Sequence, residues 1–135
     1  MYAPGGAGAG LRGRIDIVPP ADEEGFALVK RLEARLGAAQ TAEYVLDANI
    51  RIKEQAVGRL PDGSISRYNV LGQVPWQLMR GDDPVLSGTE ESFTSYSATS
   101  TTVATIVAQR AARERLMVIV ADRITATILA QADRL

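Results

Sequence analysis

The C-terminal part of the chain, from Thr101 to Leu135, contains neither Gly nor Pro, and its apolar side chains recur every three or four residues. This spacing predicts one long α-helix with a broad apolar stripe that another part of the chain must cover. The stripe consists of Val103, Ile106, Val107, Met117, Ala121, Ile124 and Ile128. Ser100 or Thr101 is the expected N-cap, because a hydroxyl there accepts a hydrogen bond from an unpaired backbone N–H.

A charged belt interrupts this predicted helix at residues 110–115. On the helix, Arg110 and Glu114 are predicted to point into the apolar stripe rather than away from it. One interpretation is an intrahelical ion pair between these two side chains, which are four residues apart. The other is that Arg110, Arg113 and Arg115 form a site for a polyanionic headgroup. Arg110 and Arg113 would then mark the margin where the helix leaves the core and faces a ligand or a partner.

The N-terminal part of the chain predicts a short strand followed by a helix. The strand covers Leu11–Val18 and stops at two consecutive prolines. The carboxylates of Asp22, Glu23 and Glu24 then suit the positive end of a helix, and Gly37 is the expected C-cap. The predicted apolar face of this helix consists of Phe26, Val29, Leu32, Ala34 and Leu36.

Alternation of apolar and polar residues between positions 44 and 53 predicts a strand with one buried face. The buried positions are Tyr44, Leu46, Ala48, Ile50 and Ile52. A Pro-Asp-Gly turn at residues 61–63 leads into a second alternating strand, from Tyr68 to Leu78, so the two strands form a long hairpin. Pro75 has no N–H group to donate, so it is expected at a sheet edge or a bulge.

A fourth strand is predicted from Val85 to Tyr96, after a turn at residues 81–84. Its apolar residues Leu86 and Phe93 are out of phase, which indicates a bulge near Gly88.

These elements, in the order β-α-β-β-β-α, predict an α+β fold. It is a two-layer sandwich in which two helices cover one face of a four-stranded mixed sheet. The other face of the sheet is polar and is open to solvent or to a partner. Residues 1–10 are rich in Gly and Ala and are expected to form a flexible N-terminal tether, whereas residues 11–135 are expected to form a single domain.

Composition narrows the classes of function. The 135-residue chain has a formal net charge of −1, which argues against nucleic-acid binding because that binding normally rests on a basic excess. It has no Cys and no His, so it has no thiol nucleophile, disulfide or ordinary zinc ligand set, and it lacks the commonest general base. No pair of titratable groups has the spacing of a catalytic pair, so we expect no enzyme, no metal and no cofactor.

Basic side chains gather on the predicted hairpin. Arg51 and Lys53 share the polar face of their strand, Arg67 is expected on the same side, and Arg59 is close to the turn. One interpretation is a solvated surface with cross-strand ion pairs. The other is a site for a polyanionic, phosphorylated headgroup.

Three stretches of the sequence resemble the lipopolysaccharide-assembly lipoproteins (LptE) of Gram-negative outer membranes: PDGSISRY, LSGTEESFTSYSA and TIVAQRAARERLMVIVADRITATIL. The resemblance covers roughly residues 11 to 133 and includes the order of the elements. It implies a periplasm-facing lipoprotein of the outer membrane that plugs the LptD β-barrel and helps lipopolysaccharide to reach the cell surface, without catalysis. The alternatives are an auxiliary periplasmic lipoprotein of a lipid-transporting ABC system and a small enzyme that uses carboxylates.

The resemblance also implies features that this sequence lacks or matches only loosely. The acylated cysteine of the family is absent, and we expect the given sequence to begin just after it. The lipid contacts of the family lie near the hairpin turn and the first part of the last helix rather than in a strict motif. The basic positions nearest to them are Arg59, Arg67, Arg110 and Arg113, and with Lys53 they are the predicted lipopolysaccharide-binding residues.

Overall fold

The computed structural model describes residues 10–98 and 101–135, apart from the side chain of Arg134. Ser100 and all but the last residue of the predicted tether therefore lie outside the described residues. The elements in chain order are β1 (Ile15–Ile17), α1 (Glu23–Leu36), β2 (Tyr44–Ala48), β3 (Arg51–Arg59), β4 (Ile65–Arg80), β5 (Asp83–Ser97), α2 (Thr102–Ala130) and a short 3₁₀ helix (Ala132–Arg134). The α+β class with two helices and a mixed sheet is confirmed.

Strand β4 is the centre of the sheet. Strand β5 pairs antiparallel with it along almost its whole length. On the other side β4 pairs first with β3 and then with β2, both antiparallel, and β1 adds to β2 in parallel. The described part of the sheet thus has five strands, and the predicted number of four was wrong.

The additional strand arises from a break at Asn49 and Ile50, inside the stretch that was predicted to be one strand. The break lies opposite Pro75, whose carbonyl accepts a hydrogen bond of 2.9 Å from the backbone N–H of Asn49. Because proline cannot donate in return, the ladder is interrupted here, between the end of β2 and the start of β3. Pro75 therefore lies in the central strand, neither at the sheet edge nor at a bulge of β4.

The predicted bulge near Gly88 was also wrong. Gly88 pairs with Trp76 in regular register, and the shift lies nearer the turn, where Leu86 pairs with Leu78 but Pro84 pairs with Met79. Gly88 instead meets a packing need, because a Cβ atom at this position would lie 3.0 Å from the indole ring of Trp76.

Helix α1 ends at the expected C-cap, Gly37, but Asp22 is its N-cap rather than a residue of its first turn, and its buried face differs from the predicted one. The Asp22 carboxylate accepts a hydrogen bond of 2.7 Å from the N–H of Gly25, and Gly37 ends the helix with a positive φ of 83°. The buried side chains are Leu28, Leu32 and Leu36, whereas Phe26 is 62% exposed. The predicted face was thus displaced around the helix, because two of its members, Leu32 and Leu36, belong to the buried row and Phe26 does not.

Helix α2 has the expected N-cap, since the hydroxyl of Thr101 accepts a hydrogen bond of 3.2 Å from the N–H of Ala104. Only the second half of its predicted apolar stripe lies in the core. The buried residues of α2 are Ala112, Leu116, Met117, Val120, Ala121, Ile124, Thr125 and Ile128. Among the described helices, none has the combination of length and hydropathy that crossing a membrane requires.

The first turns of α2 lie outside the core. Val103, Ile106 and Val107 are all exposed, Val103 at 73%. Arg110 pairs with Glu23, the first residue of α1, so the turns before Arg110 extend past the end of the neighbouring helix. Among the described residues no helix covers these turns, and only the second half of the continuous apolar stripe is therefore buried.

Candidate functional site

The five predicted binding residues lie in two separate groups. Lys53 and Arg67 are exposed on β3 and β4, and Arg59 lies at the end of β3, where its guanidinium is 3.4 Å from the carbonyl oxygen of Gly63 in the turn. Arg110 and Arg113 are on α2, in the helix layer that covers the opposite face of the sheet. The structure therefore places Lys53, Arg59 and Arg67 on one hairpin, in a different layer from the helix cations.

The sheet surface that faces away from the helices is called the open face here. It contains three neighbouring rows across β3, β4 and β5: Arg51, Gln73 and Glu91; Lys53, Leu71 and Phe93; Gln55, Asn69 and Ser95. Arg67 is on the same face, two positions before Asn69 on β4. The shared side of Arg51, Lys53 and Arg67, expected from alternation, is thus found in the register.

The cations of the hairpin have no ion-pair partner within the described parts of the chain. The ion pairs there involve other arginines, and no carboxylate lies within ion-pairing distance of Arg51, Lys53, Arg59 or Arg67. Cross-strand ion pairs therefore do not account for this positive surface, which leaves it free to meet an anion.

The helix cations have partners, but not the predicted ones. Arg110 is exposed and lies 3.6 Å from Glu23 of α1, so the expected intrahelical pair with Glu114 is replaced by a contact between helices. Arg110 and Glu114 both face solvent, and the side chain that points inward is Arg113. The predicted phase of the charged belt was wrong, because the stripe that defined it included the exposed first turns of the helix.

Arg113 is the centre of an ionic cluster that joins four elements. Its guanidinium donates 2.7 Å to Glu24 of α1, and its Nε donates 2.9 Å to Glu54 of β3. Glu54 also accepts hydrogen bonds from the Tyr96 hydroxyl, at 2.5 Å, and from the amide of Gln109, at 2.7 Å. We call these five residues the ionic cluster.

The pKa values in the cluster follow from these contacts. Burial raises the pKa of Glu54, but hydrogen bonds from Tyr96, Arg113 and Gln109 outweigh burial and the pKa is lowered. The hydrogen bond from Arg113 is the largest of the causes that lower the pKa of Glu24. Burial and the Glu54 carboxylate raise the pKa of Tyr96. At neutral pH, two carboxylates therefore share one guanidinium, and the tyrosine is neutral.

Arg110 and Arg113 also line a cleft of about 480 Å³ between α1 and α2. Its other walls consist of Glu23, Glu24, Phe26, Ala27, Lys30, Gln109 and Glu114. The cleft contains three carboxylates, so its lining does not favour an anion as clearly as the open face does.

Glu54, Gln109 and Tyr96 were not predicted from the sequence to form a unit. A signal for Glu54 was present, because alternation from Tyr44 to Ile52 places position 54 on the buried face, where a carboxylate needs a partner. Gln109 and Tyr96 gave no comparable signal, since their neighbours become close only when α2 packs against the sheet.

The family model for lipopolysaccharide assembly, LptE, matches residues 13–128 of this chain. Among solved structures, the chain is similar to a lipoprotein from Caulobacter crescentus, with 21% identity over 97% of this chain and 98% of that one and a TM-score of 0.79. It is also similar to the rare lipoprotein B of Shewanella oneidensis, with 15% identity over 87% of this chain and 92% of that one and a TM-score of 0.64.

A third similar structure is a minor lipoprotein from Acinetobacter baumannii, with 20% identity over 87% of this chain and 89% of that one and a TM-score of 0.61. At these identities the structural likeness shows a shared fold. No curated protein sequence matches this chain.

Proposed function

Because this chain belongs to the lipopolysaccharide-assembly family LptE, we propose that it is an outer-membrane lipoprotein that plugs and supports an LptD-type β-barrel and assists lipopolysaccharide transport. In this proposal the protein acts without catalysis, faces the periplasm and is held at the membrane by an acylated cysteine at its native N-terminus. The observation that carries the proposal is the family match, which extends through both helices and all five strands of the described fold.

The open face supports a direct role in holding lipopolysaccharide. Arg51, Lys53, Arg59 and Arg67 have no ion-pair partner among the described residues, although the chain as a whole has a net charge of −1. Arginine and lysine side chains bind phosphate through charge-assisted hydrogen bonds, and a local group of them does so without making the protein generally basic. We propose these cations as contacts for the phosphorylated sugars of lipid A.

The helix cations have different roles in this proposal. Arg110 is exposed, with 67% of its side chain accessible, and is available to an anion that approaches the helix layer. The donors of Arg113 are held by Glu24 and Glu54, so this residue keeps the scaffold rigid rather than contacting the lipid. A rigid body with a hydrated outer surface is suited to a water-filled barrel lumen.

The lipid site is tested with the double substitution Arg59→Glu and Arg67→Glu. We expect binding to purified lipopolysaccharide, measured at fixed ionic strength, to weaken by at least about tenfold, because two charge-assisted contacts become repulsive. The melting temperature should change by less than about 2 °C, since exposed charges contribute little to folding. The control is Arg12→Glu with Lys30→Glu, which makes the same charge change on the helix side of the molecule. Equal weakening by both pairs would show that only net charge matters and would remove this site from the proposal.

The partner is tested by co-purification from envelope membranes, using the protein with an acylated cysteine supplied at its N-terminus. We expect an LptD-type barrel to be retained in a one-to-one complex. Retention of an inner-membrane permease complex without a barrel would favour the auxiliary lipoprotein of a lipid-transporting ABC system instead. The Arg59 and Arg67 substitutions should leave barrel binding intact, so loss of lipid binding and loss of the partner remain distinguishable.

A further inference from the structure

Strand β5 forms one edge of the sheet along its full 15 residues. Its inner side pairs with β4, and no strand pairs with its outer side in the part of the chain that is described. A long edge strand is a template for pairing with another chain, and natural proteins usually obstruct such edges. Some feature of this protein is therefore expected to obstruct the outer edge of β5.

The hydrogen bond of Pro75 identifies which backbone groups of β5 point outward. In an antiparallel pair, the N–H and C=O of one residue lie on the same side of its strand. The carbonyl of Pro75 points toward β2, where it accepts from Asn49, so its partner Thr89 points away from β4. The register is regular from Thr89 to Ser97, so the outward residues alternate: Thr89, Glu91, Phe93, Ser95 and Ser97.

Two arginines of α2 occupy carbonyl groups on this edge. Arg115 donates to the carbonyl of Ser95 at 3.3 Å, and Arg123 donates to the carbonyl of Glu91 at 2.6 Å. Eight residues of helix span about 12 Å, and four residues of antiparallel strand span about 13.6 Å. The spacing of Arg115 and Arg123 along α2 therefore matches the spacing of the Ser95 and Glu91 carbonyls along β5. The order of the contacts shows that β5 runs antiparallel to α2.

We propose that Arg115 and Arg123 close the outer edge of β5 against pairing with a second copy of this chain. An antiparallel pair centred on Phe93 would place Glu91 of each copy opposite Ser95 of the other. The ladder would then need the two carbonyls that the arginines occupy. The same pairing would join the Leu71 and Phe93 side chains of both copies into one apolar row on the open face. Phe93 is 64% exposed, and in this pairing it would pack against the same side chain of the second copy. The edge is therefore self-complementary and prone to self-association unless it is blocked. The inference does not depend on the proposed function.

The experiment compares the wild-type chain with the double substitution Arg115→Ala and Arg123→Ala by sedimentation velocity over a concentration series. We expect a monomer for the wild type, and for the variant a dimer whose dissociation constant is at least about tenfold lower. The control pair, Arg12→Ala with Arg110→Ala, removes two exposed arginines that do not contact β5 and should leave the protein monomeric. A variant that stays as monomeric as the wild type would overturn the proposal.

A third substitution identifies the surface. Ser95→Pro removes an N–H that points outward, so it takes no hydrogen bond from the β4–β5 ladder but prevents another strand from pairing there. Added to the double arginine variant, Ser95→Pro should restore the monomer, and Ser95→Thr should not. A dimer that persists with Ser95→Pro would place the association elsewhere and contradict the proposal. If the double variant aggregates, Arg123→Gln alone provides the same test, with a smaller shift that Ser95→Pro must again reverse.

Discussion

At the scale of single residues, Arg110 and Arg113 show how three positions on one helix change the role of the same side chain. Arg110 reaches one exposed carboxylate across 3.6 Å, with 67% and 69% of the two side chains accessible. Arg113 is half-buried and is held by Glu24 and Glu54, whose own side chains are 20% and 16% accessible. An exposed pair contributes little to stability, whereas removing one partner from a shielded cluster leaves uncompensated charge.

We therefore expect Arg113→Met to lower the free energy of unfolding by about 2 kcal/mol, because Glu24 and Glu54 would remain together without a cation. The matched change Arg110→Met should cost less than about 0.5 kcal/mol. Urea unfolding at neutral pH measures both values. Equal losses for the two variants would mean that the ionic cluster contributes no more than a surface pair.

At the scale of elements, helix α2 packs closely on β4 at Gly72. A Cβ atom at this position would lie 2.9 Å from a methyl carbon of Leu116, so the absence of a side chain lets the helix pack directly on the strand. The hydroxyl of Thr94 on β5 donates 2.9 Å to the carbonyl of Ala112, which holds the adjacent turn of the helix at the same depth. The glycine and the hydrogen bond thus both act where this part of the helix contacts the sheet.

Gly72→Val should lower the free energy of unfolding by about 2 kcal/mol, because the added methyl groups overpack the contact between helix and strand. The control is Gln73→Val, which places the same side chain on the open face and should be close to neutral. Combining Gly72→Val with Leu116→Ala should cost less than the sum of the two single changes, since the larger side chain partly fills the space left by the smaller one. If the losses in the free energy of unfolding from the two single changes simply add, the contact between position 72 and Leu116 would be contradicted.

At the scale of the whole molecule, three groups of ionic contacts connect separate parts of the chain. The ionic cluster joins β3, β5, α1 and α2; Asp122 of α2 accepts from Arg31 and Arg35 of α1; and Glu43 pairs with Arg14 and Arg80. Hydrogen bonds from arginine, chiefly Arg31 and Arg80, lower the pKa of Asp122 and of Glu43, and the pKa values of Glu24 and Glu54 are lowered as well. Every one of these carboxylates is therefore ionised more readily in the folded chain than in the unfolded one.

Lowered carboxyl pKa values determine the direction of the pH dependence. The ionised carboxylates contribute their full stabilisation at pH values above the ordinary glutamate pKa of 4.5. This stabilisation is lost as the pH falls through the lowered pKa of the folded state. Because the chain has no His, stability should be nearly constant from about pH 6 to pH 8. The free energy of unfolding, measured from neutral to acid pH, should begin to fall near pH 4.5. The fall should be shallower in Glu54→Gln. Glu114→Gln, an exposed change on α2, should follow the wild-type curve; an unchanged slope in Glu54→Gln would contradict this account.

Much of the fold was accessible from the sequence because its signals are local. Gly37 and the Thr101 hydroxyl cap their helices as expected, because a cap acts on backbone groups within about four residues. The alternation from Tyr44 to Ile52 placed the buried face of these strands correctly, because it depends only on successive residues. The strand break at Asn49 and the exposed first turns of α2 were not predicted. Each depends on a segment distant in the sequence: Pro75 in the first case and the start of α1 in the second.

The same distinction applies to the candidate site. The element types, two of the helix caps, the family resemblance and the positive hairpin can be read from the sequence, because composition and short-range periodicity carry that information. The inward direction of Arg113, the lack of ion-pair partners for the hairpin cations in the described chain and the two arginines at the edge of β5 follow from the packing of distant segments. The reason is distance along the chain: Arg113 lies 59 positions from Glu54 and 89 from Glu24, and no local pattern specifies which residues meet across such separations.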